Sequence, residues 1–176
     1  MNVIVIYKTK YGSTRDYAVE IANRLGITAI DAKNVTPSDL EQYDSIVYGG
    51  GLYAEIISGV TLITKNIKKL SDKKIAVFTT GLTPTDCRDY YDRYIIERNF
   101  KQGLPPNIKV FNYPGKMVLS ELSLVHKTAI KTLKKMMSGK ENPTEMEKLL
   151  VELCDADGDF SDMSCVSELV NYITEG

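Results

Sequence analysis

The stretch "YKTKYGSTRDYA", Tyr7 to Ala18, decides how this sequence is interpreted. It follows directly on the apolar run "VIVI", Val3 to Ile6, and such β-branched runs are typical of strands buried on both faces. Apolar residues at helical spacing then continue to Leu25, and Gly26 stands where a helix commonly ends. The chain therefore leaves a buried strand through lysines, hydroxyls and one glycine, and starts a helix at once. This pattern fits an ordinary connection or a cradle for a phosphate group.

The composition fits one globular domain, which we expect to span residues 1–176. A net charge of −1 provides no bulk attraction for nucleic acid or anionic lipid, so nucleic-acid binding is not expected. The three cysteines, Cys87, Cys154 and Cys165, form no C-x-x-C pair and are expected to be free thiols in a reducing compartment. No segment reaches the roughly 18 apolar residues of a membrane span, and a cytoplasmic location is expected.

Strands and helices alternate along the chain. Strands are predicted at 3–7, 27–32, 45–48, 74–79 and 108–113, and helices follow each of them, with bounds near 60–70, 86–100, 121–137, 145–154 and 163–174 for the later ones. Five strands separated by helices predict an α/β fold with a parallel sheet covered on both faces. Ligands bind such sheets outside the carboxyl ends of the strands, so the segments after strands one, three and four are the candidate site.

The segment after strand one reads "TKYGST". Its hydroxyls at Thr9, Ser13 and Thr14 and the backbone N–H groups at a helix N-terminus are suited to a terminal phosphate. Gly12 would allow a tight turn and a close approach to the ligand. The segment is neither a Walker motif nor G-x-G-x-x-G. The alternative is a solvated loop in which Ser13 or Thr14 caps a helix.

The segments after strands three and four read "GGGLYA" and "TTGLTPTD". Three consecutive glycines favour a loop whose backbone lies against a flat ligand, which Tyr53 could cover by offset stacking. In the second segment, hydroxyls and N–H groups could bind the edge of a heterocycle, with Leu82 against the ring. The alternatives are a flexible turn with a surface tyrosine and an ordinary strand-to-helix connection.

Together these motifs resemble those of the flavodoxin-like FMN proteins. The phosphate signature of short-chain flavodoxins is T-x-T-G-x-T, and "TKYGST" matches it at Thr9, Gly12 and Thr14, with Tyr11 in place of a threonine. The resemblance is closer to the branch that includes menaquinone-dependent protoporphyrinogen oxidase, because "GGGLYA", "FTTGLTP", "RDYYDRYIIERNF" and "KTLKKMMSGK" follow in the expected order. It implies a flavodoxin-like three-layer sandwich with a five-stranded parallel sheet in the order 2-1-3-4-5.

The resemblance also implies that FMN is the cofactor and indicates the residues that hold it. The first loop would hold the phosphate, and the other two segments would line the two sides of the isoalloxazine ring. These residues are Thr9, Lys10, Tyr11, Gly12, Ser13 and Thr14; then Gly50, Gly51, Leu52 and Tyr53; and finally Thr80, Gly81, Leu82 and Thr83. No catalytic residue or metal ligand is assigned, because outer-sphere electron transfer needs no acid or base.

The implied function is electron transfer through bound FMN, to a redox partner protein or to a small-molecule or quinone acceptor. The alternatives are a flavin-dependent oxidoreductase of the protoporphyrinogen oxidase or quinone-linked type, and an FMN-binding protein without turnover. A receiver domain shares the sheet order, but it needs an acidic pair after strand one and an aspartate after strand three, where this chain has lysines and Gly49–Gly51. The oligomeric state is left open.

Two further features are expected to be structural. His126, the one histidine, lies far in sequence from the three segments and is expected to be a surface or packing residue. The acidic stretch "DADGDFSD", Asp155 to Asp162, has Phe160 and Val166 at the glycine and glutamate positions of an EF-hand. It is expected to be a solvated loop.

Overall fold

The apolar run at the N-terminus forms a central strand of a parallel sheet. A computed structural model describes residues 2–175, and in it Ile4, Val5 and Ile6 are almost fully buried, as the run predicts. The strands are β1 (Val3–Lys8), β2 (Ala29–Asp31), β3 (Ser45–Tyr53), β4 (Ile56–Ile57), β5 (Lys74–Gly81), β6 (Ile108–Pro114), β7 (Lys116–Met117) and β8 (Gly158–Asp159).

Five strands pair in parallel in the order β2-β1-β3-β5-β6. Counted among themselves along the chain, these five have the order 2-1-3-4-5, so the predicted flavodoxin-like topology is confirmed. Three short strands were not predicted: β4 pairs antiparallel with β3, and β7 pairs antiparallel with β8. In the parallel register Lys8 is opposite Gly50, and Gly51 is opposite Thr80. The three candidate segments therefore meet at one edge of the sheet.

Helices cover both faces of the sheet. They are α1 (Ser13–Arg24), α2 (Thr61–Thr64), α3 (Ile96–Asn99), α4 (Leu124–Ser138), α5 (Glu145–Leu153) and α6 (Ser167–Thr174), with a π-helix at Tyr90–Ile95 and 3₁₀ turns at Ala32–Asn34, Pro37–Gln42 and Met163–Val166. None of the helices within residues 2–175 combines the length and the apolar character needed to cross a membrane.

The sheet separates two apolar cores. Ile4 and Ile6 of β1 pack into one core, and Val5 between them packs into the other, because successive side chains of a strand point to opposite faces. The first core contains the fully buried Ile63 from α2. The second contains Ile21 from α1 and, among others, residues of α6. This arrangement is the predicted three-layer sandwich.

The glycine-rich segment lies inside β3, and the prediction that it forms a loop after strand three was wrong. A Cβ atom on Gly49 would lie 2.1 Å from Cζ of Phe78 on the neighbouring β5, and one on Gly50 would lie 2.6 Å from Cγ2 of Ile57. The absence of side chains therefore lets Phe78 cross β3 and lets β4 fold back against it. The fourth of the predicted strands, expected at 74–79, is also longer in the structure. Its "TTG" segment continues β5 to Gly81.

Several other predicted bounds also differ. The helix predicted at 60–70 is reduced to α2 followed by turns, although Val60, Ile63 and Leu70 are buried as its pattern requires. The helix predicted from 121 begins at Leu124, because the Ser123 hydroxyl accepts a hydrogen bond from the His126 N–H and ends the preceding loop. Helical structure in the fourth segment begins later than 86 and passes through a π-helix.

Candidate functional site

A cavity of about 490 Å³ lies at the carboxyl edge of the sheet, where a ligand is expected in this topology. Its volume is within the range of small-molecule sites. The wall is formed by the first loop, the ends of β3 and β5, the β7 strand and one side of α4. The lining residues are Thr9, Tyr11, Ser13, Thr14, Gly51, Leu52, Tyr53, Ala54, Thr80, Gly81, Leu82, Gly115, Lys116, Met117, Leu122, His126, Ala129, Ile130 and Leu133.

The first loop leaves the N-terminus of α1 open toward an anion. Gly12 is the N-cap residue with φ of 98°, a conformation that side-chain-bearing residues rarely adopt. Its N–H donates to Oγ1 of Thr9 at 2.9 Å, which closes the turn. Within residues 2–175 no side chain caps the N-terminus of α1. The alternative in which Ser13 or Thr14 caps this helix is therefore wrong. Uncapped N–H groups at a helix N-terminus favour phosphate.

Thr14 joins the three predicted segments. Its hydroxyl lies 2.8 Å from the hydroxyl of Thr80 at the end of β5, and both side chains are buried. A Cβ atom on Gly51 of β3 would lie 3.5 Å from the same Thr14 oxygen. Three segments that are distant in the sequence therefore meet at this hydroxyl pair, whose two members are 66 positions apart.

Ten of the fourteen predicted site residues line this cavity. They are Thr9, Tyr11, Ser13, Thr14, Gly51, Leu52, Tyr53, Thr80, Gly81 and Leu82. The other four lie beside it. The Lys10 ammonium is 3.4 Å from Nε2 of His126. Gly12 is next to Lys116, since a Cβ atom on Gly12 would lie 3.2 Å from Nζ of Lys116. Gly50 backs onto Ile57, and the carbonyl of Thr83 accepts a hydrogen bond from the Tyr91 hydroxyl at 2.7 Å.

His126 lies in the cavity wall, contrary to the expectation from sequence. Its Nδ1 atom is 2.8 Å from the hydroxyl of Tyr11, and its ring centroid is 5.3 Å from that of Tyr53. The backbone N–H of Ser123 donates to the same Tyr11 hydroxyl at 3.3 Å. Tyr11 therefore ties the first loop to the N-terminus of α4, and this link spans more than one hundred residues that no local pattern connects.

Burial and nearby charge perturb the titration of this cluster. Desolvation, with a smaller effect of the Lys10 charge, holds the pKa of His126 below its usual value. Burial opposes ionisation of Tyr11, but its hydrogen bonds with Ser123 and the charge of Lys10 outweigh that effect and lower its pKa. Burial, and then the neighbouring Tyr11, raises the pKa of Tyr53 to about 12. At neutral pH the cluster therefore favours an uncharged imidazole beside the neutral phenol of Tyr53.

A two-residue turn fixes Tyr53 at the cavity. Ala54 and Glu55 connect β3 to β4 with φ values of 47° and 67°, as a type I′ hairpin turn requires. Asn99 supports this turn from α3, because its Nδ2 donates to the Glu55 carbonyl at 2.8 Å and its Oδ1 accepts from the Ile57 N–H at 2.9 Å. Left-handed backbone at non-glycine residues is strained, and these hydrogen bonds hold it in place.

The residues present fit a phosphorylated planar ring. Hydroxyls and the open α1 terminus lie at one end of the cavity, and Leu52, Tyr53 and Leu82 provide apolar and aromatic walls. A Cβ atom on Gly81 would lie 3.2 Å from Cδ1 of Leu52, so the glycine keeps a narrow space open there.

Residues 4–144 match the family described as flavodoxin domain. The chain belongs to the flavodoxin domain family. FMN is the cofactor of this family, which agrees with the chemistry of the cavity. The comparison with curated proteins found no match.

Solved structures of flavodoxins are similar at low identity. Oxidised flavodoxin 2 from Bacillus cereus is 18% identical, with a TM-score of 0.43 over 64% of this chain and 84% of that one. A flavodoxin from the domain Archaea is 14% identical, with a TM-score of 0.42 over 88% of this chain and 97% of that one. Two-electron reduced flavodoxin from Megasphaera elsdenii is 14% identical, with a TM-score of 0.41 over 88% and 99% of the two chains.

Proposed function

We propose that this chain is an electron-transfer flavoprotein that binds FMN in the cavity at the carboxyl edge of the sheet. The observation that supports this most is the meeting of three sequence-separated segments at the Thr14–Thr80 hydroxyl pair, beside an uncapped helix N-terminus. When bound, FMN supplies the redox chemistry, and the protein contributes position and electrostatics. We propose that residues 1–176 form one domain and that it works in the cytoplasm, where its three free thiols would stay reduced.

The proposed roles follow from position in the cavity. Thr9, Ser13 and Thr14, with the N–H groups of the first turn of α1, would hold the phosphate. Leu52 and Tyr53 on one side and Leu82 on the other would contact the ring, and the small residues between them would allow its close approach. The four predicted residues beside the cavity would act by shaping the loops: Lys10, Gly12, Gly50 and Thr83.

The apolar side of α4 favours a second function, an oxidoreductase acting on a small molecule. Ala129, Ile130 and Leu133 of α4 line the cavity, so it has an apolar wall that phosphate binding does not require. Such a wall suits a quinone-linked or protoporphyrinogen-oxidase-type reaction.

The first experiment is a visible spectrum of the purified protein and identification of any released flavin by chromatography. Stoichiometric FMN, in preference to riboflavin, is the expected result. The Gly12→Asp variant places a carboxylate in the phosphate loop and should lose FMN while keeping its far-ultraviolet circular dichroism. Gly26→Asp is the matched control, because Gly26 also has positive φ, 69°, but a Cβ atom there would meet nothing within 4 Å. Equal FMN content in both variants would contradict the assignment of the loop.

A second experiment separates an enzyme from a carrier. Protein holding reduced flavin is mixed anaerobically with a water-soluble naphthoquinone, and reoxidation is followed by absorbance. For an enzyme, the rate should saturate with quinone and should fall in Leu133→Glu, which charges the apolar wall. Lys131→Glu is the control, because Lys131 lies two residues before Leu133 on α4 and its side chain is exposed. A rate that stays linear in quinone and equal in both variants would favour the carrier.

A further inference from the structure

Lys116 places an ammonium group beside the phosphate loop. A Cβ atom on Gly12 would lie 3.2 Å from Nζ of Lys116 and 3.6 Å from its Cε. Lys116 is half-buried on β7, and it lines the cavity. No motif indicated this residue, because it lies more than one hundred positions after the loop that it approaches.

The lysine within the loop is directed elsewhere. Lys10, which the flavodoxin resemblance assigned to the phosphate, places its ammonium 3.4 Å from Nε2 of His126 and 5.7 Å from the centroid of the Tyr11 ring. Asp16 in the first turn of α1 is a carboxylate that opposes a phosphate there, and its Oδ2 lies 3.9 Å from the Gly12 Cβ position. A positive charge from outside the loop would therefore strengthen the binding of a phosphate there.

Lys116 is available for that purpose. It belongs to no ion pair among residues 2–175, whereas several other lysines are paired with carboxylates. Asp159 is opposite Lys116 in the β7–β8 ladder, and no salt bridge joins the two side chains within residues 2–175. Hydrogen bonds from Ser161, and to a smaller extent the Lys116 charge, lower the pKa of Asp159.

Lys116 lies within the part of the chain that matches the family, but the strand that pairs with its own strand lies beyond that part. Gly115 is anchored on both sides: its N–H donates to the Gly81 carbonyl at 2.7 Å, and its carbonyl accepts from the Phe160 N–H at 3.1 Å. The β8 strand pairs with β7 from residues 158–159, and the family match ends at residue 144. The acidic stretch expected to be a solvated loop therefore contains a strand that fixes the backbone of Lys116.

We propose that Lys116 is the cation that binds the phosphate of FMN, and that pairing of β7 with β8 positions it. This inference rests on the proposed FMN site. A phosphate monoester carries close to two negative charges at neutral pH, and hydrogen bonds between ionised groups are about twice as strong as neutral ones. Lys116 would thus distinguish FMN from riboflavin, which has the same ring and no phosphate.

The test measures the affinities of flavin-free protein for FMN and riboflavin by quenching of flavin fluorescence. Lys116→Gln should weaken FMN binding about 10- to 100-fold and leave riboflavin binding within about twofold. Lys116→Arg keeps the charge and should retain most of the FMN affinity. Lys131→Gln removes the same charge from an exposed position of α4 outside the cavity and should change FMN binding by less than about threefold. Circular dichroism and thermal unfolding of each variant verify that it is folded.

Salt dependence provides a second readout. Between about 20 and about 500 mM salt, FMN binding to the unmodified protein should weaken more than FMN binding to Lys116→Gln, because screening acts on a charge that the variant lacks. Unchanged FMN affinity in Lys116→Gln, or an equal loss for FMN and riboflavin, would overturn the role of Lys116 and leave the FMN site intact. Failure of the unmodified protein to bind FMN would overturn the proposed function, and the role of Lys116 with it.

Discussion

Two stacked tyrosines offer a comparison in which the same substitution should change stability in different ways. The rings of Tyr17 and Tyr113 lie 4.9 Å apart at an interplanar angle of 24°, and both side chains are almost fully buried. The Tyr17 hydroxyl donates to the Pro114 carbonyl and accepts from the Asp162 N–H, each at 2.8 Å. The Tyr113 hydroxyl is buried without a hydrogen-bond partner among residues 2–175.

The magnitudes follow from these contacts. Tyr17→Phe leaves a backbone carbonyl and a backbone N–H unpaired, and we expect the free energy of unfolding to fall by about 1–3 kcal/mol. Tyr113→Phe removes a buried hydroxyl that has no partner, so the free energy of unfolding should stay constant or rise by about 1 kcal/mol. For a chain of this length, 1 kcal/mol corresponds to about 2–4 °C in Tm. Tyr17→Phe should therefore lower Tm by about 2–12 °C, and Tyr113→Phe should not lower it.

Urea unfolding of the flavin-free protein, followed by circular dichroism, measures both variants. The m-values should remain unchanged, so that the difference in midpoint reports stability. Because Tyr17 holds the residues that flank β7 and β8, its variant should also bind FMN several-fold more weakly. A loss of stability in Tyr113→Phe equal to that in Tyr17→Phe would refute the hydrogen-bond argument and indicate that both hydroxyls are satisfied in solution.

Three other substitutions test separate features. Gly49→Ala should lower the free energy of unfolding, measured with urea, by about 1–3 kcal/mol or more, since its Cβ would lie 2.1 Å from the Phe78 ring. Adding Phe78→Leu should restore part of the lost stability, and strictly additive effects of the two substitutions would contradict the contact between Gly49 and Phe78. Ala54→Gly should raise the same free energy by about 0.5–1 kcal/mol because φ is positive there, and a loss would refute the strain. The lowered pKa of His126 means that the folded protein disfavours its protonation, so this contribution to stability is present above the unfolded pKa of about 6.5 and is lost as pH falls through the lower folded value. Between about pH 8 and about pH 5, Tm should therefore decrease less in His126→Gln than in the unmodified protein. An identical decrease in both would contradict this contribution of His126.

The parallel strands could be predicted because each is a β-branched or apolar run with polar or glycine-containing borders. The error at Gly49–Gly51 arose because glycine is unfavourable in strands, and no local signal shows that Phe78 lies across them. The three short strands escaped prediction for a related reason. Two residues carry no periodicity, and β7 and β8 pair across about forty positions.

The part of the site that could be predicted consists of residues that directly follow or end a strand of the sheet. Topology alone brings such residues to one edge, which is why ten of them line one cavity. Lys116 and His126 could not be found in this way, because their positions depend on a strand pairing and on the placement of α4. A lysine and a histidine in polar surroundings have no sequence signature until the tertiary structure brings them to the loop.

The last helix also has a consequence for how the chain is made. Leu169 and Ile173 of α6 are fully buried in the core that contains Val5 and Phe78, so the first strand and the final helix share one apolar layer. During synthesis the sheet strands leave the ribosome well before α6 does. Part of that layer must then remain uncovered on the nascent chain, which exposes it to aggregation and makes it a natural binding surface for chaperones.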